Sequence, residues 1–93
     1  MDEQRKAHLR IEGRVQGVGF RYFVREIAMR YRVNGWVRNL YDGSVEAVLE
    51  GDGKDVSTAV AYCYQGPPGA HVTNVDVTWM DYTGEFTAFG IRF

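Results

Sequence analysis

One cysteine and two histidines in 93 residues leave little from which to build a metal centre or a thiol nucleophile. His8 and His71 are far apart and neither has a neighbouring cysteine ligand set, so both read as surface residues and no metal is expected. Cys63 cannot form an internal disulfide, which suits a reducing compartment. It falls on the inner side of a helical pattern, where core packing is the expected role of a free thiol. Excess charge of one sign is also lacking: eleven basic side chains face twelve acidic ones, for a net charge of -1. A global field for a nucleic-acid backbone is therefore missing, and any attraction for an anion must be local. No apolar run approaches membrane-spanning length, and the charged opening Met1–Lys6 lacks the apolar segment of a secretion signal. The expectation is a cytoplasmic, soluble monomer without a membrane or nucleic-acid partner, with residues 1–6 as a mobile tail. Hydrophobic residues make up 45% of the chain, enough at this length for one core and one domain over 1–93.

Against these absences stand clear periodicities. Leu9, Ile11 and Val15 alternate with Arg10, Glu12 and Arg14, the pattern of a strand over His8–Val15 with one buried face. Phe20, Val24, Ile27 and Tyr31 then recur at helical spacing. Val33–Leu40 and Ser44–Gly51 are two β-rich runs joined by Tyr41-Asp42-Gly43, and Asp-Gly is a strong antiparallel hairpin signal. Asp52 is placed to cap a second helix from Gly53 or Lys54, with Val56, Ala59, Val60 and Cys63 inward, ending near Gly66 and stopped by Pro67 and Pro68. Val72–Tyr82 alternates as a strand. After a turn at Thr83-Gly84-Glu85, Phe86–Phe93 reads as a last strand contributing Phe89, Ile91 and Phe93 to the core. The order predicts an α+β fold, the ferredoxin-like split βαβ sandwich with a short final strand and two helices on one face of an antiparallel sheet. That fold hosts many functions, so the site must carry the functional argument.

The run Gly13-Arg14-Val15-Gln16-Gly17-Val18-Gly19-Phe20-Arg21 joins the first strand to the first helix. Glycines allow backbone N–H groups to converge on an anion, the helix N-terminus adds positive potential, and Arg21 offers a permanently charged planar fork. A cation on a helix's first turn is unfavourable unless an anion sits there too. Taken alone, Gly13, Gly17 and Gly19 serve equally well as turn residues, and Asn39 beside a hairpin can bond its own backbone. Strand one and the strand bearing Asn39, linked by the helix, are expected to be parallel neighbours whose carboxyl ends lie together. An asparagine there can accept from a water and donate to an anion oxygen without ionising. Arg14 and Arg38 alternate onto the outer strand face or its edge, where a solvated role is expected. Trp36 and Trp79 read as core or sheet-surface residues.

The glycine-rich run and Gly35-Trp36-Val37-Arg38-Asn39, followed by Asp42-Gly43 and Gly51, resemble the paired signature motifs of acylphosphatases. The Gly66-Pro67-Pro68-Gly69-Ala70 loop and the Phe89-Gly90-Ile91-Arg92-Phe93 ending are also similar, so the likeness covers nearly the whole chain. The resemblance implies hydrolysis of small-molecule acyl phosphates to carboxylate and phosphate without metal or cofactor. It implies that Arg21 binds the phosphate together with backbone N–H groups of Gln16, Gly17, Val18, Gly19 and Phe20, and that Asn39 holds the attacking water. Such chemistry is plausible on its own terms, because a carboxylate leaves readily and phosphoryl transfer depends on positioning and charge stabilisation.

Two other functions share the predicted topology. An RNA-binding module would carry stacking aromatics on a central strand, whereas here they lie at the loop and helix, and Ser44–Gly51 has none. A regulatory domain that binds an anion without chemistry differs only in not needing Asn39. A P-loop or dinucleotide site is disfavoured because no third glycine follows Gly17-Val18-Gly19 and no Gly-Lys-Ser/Thr triplet occurs.

Overall fold

The computed structural model describes residues 3–93; Met1 and Asp2 of the expected tail lie outside the described residues. Its elements are β1 (Gln4–Arg14), α1 (Phe20–Arg30), β2 (Asn34–Asn39), β3 (Val45–Asp52), α2 (Gly53–Gln65), β4 (His71–Met80) and β5 (Phe89–Arg92). The strands form one five-stranded sheet in the order β4-β1-β3-β2-β5. Ala7, Leu9 and Ile11 of β1 and Ala47 and Leu49 of β3 are fully buried, as are Val37 and Val45. They share one core with Phe20, Val24, Ile27 and Ala28 of α1 and with Val56, Ala59, Val60 and Cys63 of α2. The thiol of Cys63 is buried in that core and its pKa is pushed up to about 12, so it packs rather than reacts. Asp52 caps α2 as its sequence position suggests, its side chain accepting from the Lys54 amide at 3.0 Å.

Four sequence expectations are corrected. Gln4–Lys6, assigned to the tail, are strand: they pair with Asp52, Gly51 and Glu50 of β3. Lys6 is buried there and bonds Glu85 at 2.9 Å, a partner 79 positions away that no local pattern reveals. Second, β1 and β2 are not neighbours, because β3 lies between them, antiparallel to both. β1 and β2 consequently point the same way and their carboxyl ends still share one edge of the sheet. Third, the sheet is mixed rather than wholly antiparallel, since β5 pairs with β2 in parallel.

The cause of that parallel pairing lies in the β4–β5 connection. β4 is one edge of the sheet and β5 the other, so the chain must cross between them. Residues 81–88 do so over the face that carries Lys6, Asn34 and Glu50, held by a buried carboxylate: Glu50 accepts from the Thr83 hydroxyl at 3.0 Å and from the Phe86 amide at 3.4 Å. Asn34 Nδ2 adds a bond to the Phe86 carbonyl. Crossing the sheet delivers β5 beside β2 in the same direction. Fourth, this crossing shortens the last strand to four residues, so that Phe89 and Ile91 pack against the core while Phe93 is 94% exposed.

Gly35 shows how tightly β2 and β3 approach: its φ is +138° and a Cβ built there would stand 1.9 Å from the Val48 carbonyl oxygen. Gly90 on β5 has open space instead. Gly35→Ala should therefore destabilise the fold by about 3 kcal/mol, whereas Gly90→Ala should stay within about 0.5 kcal/mol of the parent. Urea unfolding checks both, and equal midpoints for the two variants would contradict this packing.

Candidate functional site

The turn between β1 and α1 is built on two left-handed glycines, Gly17 at φ +75° and Gly19 at φ +78°. A Cβ on either would meet nothing within 4 Å, so conformation and not space requires glycine, and the outer side of the turn is open. Gly13 differs: a Cβ there would stand 2.1 Å from the His71 carbonyl, at the register shift where β1 pairs β4, so it serves packing. Gly19 is the N-cap of α1 and supplies no side-chain cap, and the first turn contains no acidic residue. The leading amides of α1 thus present unneutralised positive potential to the open side. Phe20 buries its ring in the core, leaving only its backbone to the turn, and Val18 packs partly against the same core.

Arg21 lies on that first turn, with its guanidinium carbon 4.9 Å from the centre of the Phe93 ring. Phe93 in turn lines a cavity of about 550 Å³ together with Gln16, Arg38, Asn39, Leu40 and Tyr41. The structure so brings Gln16 and Asn39 into one cavity and sets Arg21 beside it across Phe93. Gly17, Val18 and Gly19 are not among its lining residues. Register places Asn39 firmly: Asn39 and Ile11 both pair with Val45, so β2 and β1 flank the start of β3 at about 10 Å from each other.

The hairpin that follows Asn39 is closed from within. Leu40 N–H donates to the Ser44 carbonyl at 2.9 Å and Gly43 N–H to the Leu40 carbonyl at 3.2 Å. Asp42 Oδ1 accepts from the Ser44 amide at 2.9 Å and from its hydroxyl at 2.5 Å. From outside, Arg10 of β1 reaches the other Asp42 oxygen, and the Gln16 side chain donates to both Leu40 and Ser44 carbonyls.

Carboxylates near the cavity are already matched by cations. Glu46 bonds Arg38 Nε at 2.6 Å and His8 Nε2 at 2.7 Å; burial alone would raise its pKa, but these two partners outweigh it and the net shift is downward. Arg38 also stacks over Trp36, as does Arg92 from the neighbouring strand. Arg38 is therefore surface-paired, as expected, but also lines the cavity. Among the described residues Arg21 forms no salt bridge, and no cluster of three metal-ligating side chains occurs. The arrangement can hold a small anion on backbone amides and one guanidinium beside a neutral carboxamide.

Three participants escape sequence reasoning. The Gln16 side chain is legible only as a loop residue, since both of its acceptors are backbone atoms more than twenty positions away. Phe93 reads as core from its alternation. Tyr41, wholly exposed on the cavity wall, reads only as a turn residue.

A family model described as Acylphosphatase matches residues 7–91 of the chain. An acylphosphatase of Pelotomaculum thermopropionicum is 52% identical over 88 residues, covering 95% of this chain and 96% of that protein. One from Pyrobaculum islandicum is 53% identical over 90 residues, covering 96% and 95% respectively. The crystal structure of acylphosphatase from Bacillus subtilis superposes with a TM-score of 0.92 at 36% identity, covering 96% of this chain and 99% of that one.

Asp42 holds the turn through a carboxyl lowered from 3.8 to about 2, first by the Ser44 hydroxyl and amide and then by Arg10. A lowered carboxyl stabilises the folded state fully above its unfolded value and loses that contribution as pH falls through the folded one. Asp42→Ala should be less stable than the parent at neutral pH, with the gap closing as pH falls from about 4 to about 2. Thermal midpoints across that window check this; a constant gap would contradict it.

Proposed function

The chain belongs to the acylphosphatase family, and from that membership we propose how its own residues carry out the hydrolysis. As an acylphosphatase it cleaves the carboxyl-phosphate bond of acyl phosphates, releasing carboxylate and inorganic phosphate. In this reading the phosphoryl oxygens sit on the backbone N–H groups of residues 16–20 and on Arg21, while Asn39 orients the water. The observation that carries it is the pairing of a helix start without a side-chain cap, bent through Gly17 and Gly19, with an arginine on its first turn that forms no salt bridge among the described residues. An anion placed there relieves the unfavourable cation at the positive helix end and satisfies amides that nothing else caps.

Asn39 accepts a hydrogen bond from the water and donates to a phosphoryl oxygen, so that the water's oxygen is in line with the bond to be broken. The oxygen–phosphorus bond forms, the bond from phosphorus to the acyl oxygen breaks, and its electron pair leaves on the carboxylate. The water's proton passes to a phosphoryl oxygen. A carboxylate is a stable leaving group, so neither a general acid nor a metal is required to make it depart.

The proposal extends to a single cytoplasmic domain acting as a monomer on small molecules. No helix among the described residues is long and apolar enough to cross a membrane, and the balanced charge disfavours a nucleic-acid partner.

With benzoyl phosphate as substrate, Arg21→Ala removes charge-assisted bonds of about 1.5–3 kcal/mol each, so affinity for substrate and for competing phosphate should fall by about 100-fold or more in a folded protein. Asn39→Ala should lower kcat far more than it raises KM, and a chelator should change nothing. Normal turnover in Asn39→Ala would remove the water-positioning role, and inactivation by chelator would remove the metal-free one.

A further inference from the structure

Residues 15–20 and the hairpin that follows Asn39 come from opposite flanks of β3, and their relative placement decides where the carboxamide stands with respect to the phosphate cradle. Gln16 Nε2 donates to the Leu40 carbonyl at 2.7 Å and to the Ser44 carbonyl at 2.9 Å. Among the described residues no other hydrogen bond joins residues 15–20 to residues 40–44. The hairpin does not need these bonds for its shape, because the same two carbonyls are already engaged by the Gly43 and Leu40 amides. What the glutamine adds is the position of the hairpin against the loop. We propose that the Gln16 side chain is a positioning residue for acyl phosphate hydrolysis, strapping the hairpin's two carbonyls to the cradle so that Asn39 faces the bound phosphoryl group.

The choice of residue fits the task. A primary amide nitrogen is the one neutral side-chain atom that carries two hydrogens in a fixed planar fork, and here both go to carbonyls that bracket a single turn. Lysine would bring a charge that competes with Arg21 for the phosphate, and glutamate would set an acceptor against two acceptors. The bonds are part-buried, so water does not readily replace them, whereas the exposed Arg10 contact on Asp42 grips only the outer tip of the turn. Gln16 thus has two separate duties: its backbone belongs to the proposed cradle, and its side chain acts on the far wall of the cavity. Asn39 sits one residue before the first strapped carbonyl, so a shift of the hairpin moves it directly. Misplacement of a positioning group by about 1 Å is enough to reduce turnover by about 100-fold.

This inference rests on the water-positioning role of Asn39, and the test separates the two. Gln16→Met keeps length and volume but removes both donors; Gln16→Glu provides a second variant of native shape should the first fold poorly. Near-UV circular dichroism confirms the fold, and kcat, KM and the competitive inhibition constant for inorganic phosphate are measured with benzoyl phosphate. Expected is a fall in kcat of about tenfold or more, with the phosphate constant changed by less than about threefold, because the cradle's amides and Arg21 are untouched. In the Asn39→Ala background the Gln16 substitution should lower kcat no further, since it acts through that residue. Three results overturn the proposal. If Asn39→Ala is slow but both folded Gln16 variants turn over normally, the strap is wrong and the Asn39 reading stands. If the two effects multiply, Gln16 acts by another route. If Asn39→Ala itself is unimpaired, the underlying reading fails and the strap's purpose fails with it.

Discussion

Everything at the site depends on one stretch of backbone, the left-handed turn through Gly17 and Gly19 by which β1 enters α1. Any side chain at these positions would strain the turn, and none is present to shield its outer side. The helix start is left without a capping side chain or an acidic neighbour, and it bears Arg21 where a cation is disfavoured. These features together form a local positive site on a molecule whose overall charge is slightly negative. In the proposed reading, a phosphoryl group bound there would resolve all of them at once.

The sheet topology brings the end of the strand that bears Asn39 to the same edge as that turn. With β3 between and antiparallel to both, β1 and β2 end at the same edge, and common pairing with Val45 locates Asn39 relative to Ile11. The final crossing, anchored on buried Glu50, lays β5 beside β2 and brings Phe93 under the Arg21 guanidinium. Acidic side chains close to the cavity are engaged by Arg10, Arg38 and His8, so they do not compete with an incoming anion for Arg21. The sheet face away from the helices is thereby a charge-balanced surface.

Local features were legible in the sequence. The glycine turn between β1 and α1, the Asp42-Gly43 hairpin, the Asp52 cap and the inward position of Cys63 each depend on a few neighbouring residues, and the structure places them as their patterns require. Arg21 and Asn39 stand out in sequence through the two signature-like motifs, and the structure puts Arg21 on the first turn of α1 and Asn39 at the end of β2. What escaped reading is non-local. Gln4–Lys6 resemble a charged tail until β3 and Glu85 are set beside them. The insertion of β3 between β1 and β2, and the parallel direction of β5, follow from which edge the chain reaches and not from any residue's preference. Phe93 alternates with core residues yet lies beyond the end of the strand that would bury it. Gln16 bonds carbonyls, and a backbone acceptor leaves no trace in a sequence.

Titration of the isotopically labelled protein with inorganic phosphate, followed by nuclear magnetic resonance, tests the central claim most directly. The account predicts that the backbone amides of residues 16–20, the Arg21 guanidinium and the Asn39 side-chain amide shift together along one saturating curve. Saturable shifts that leave those groups in place and fall elsewhere on the molecule would contradict it.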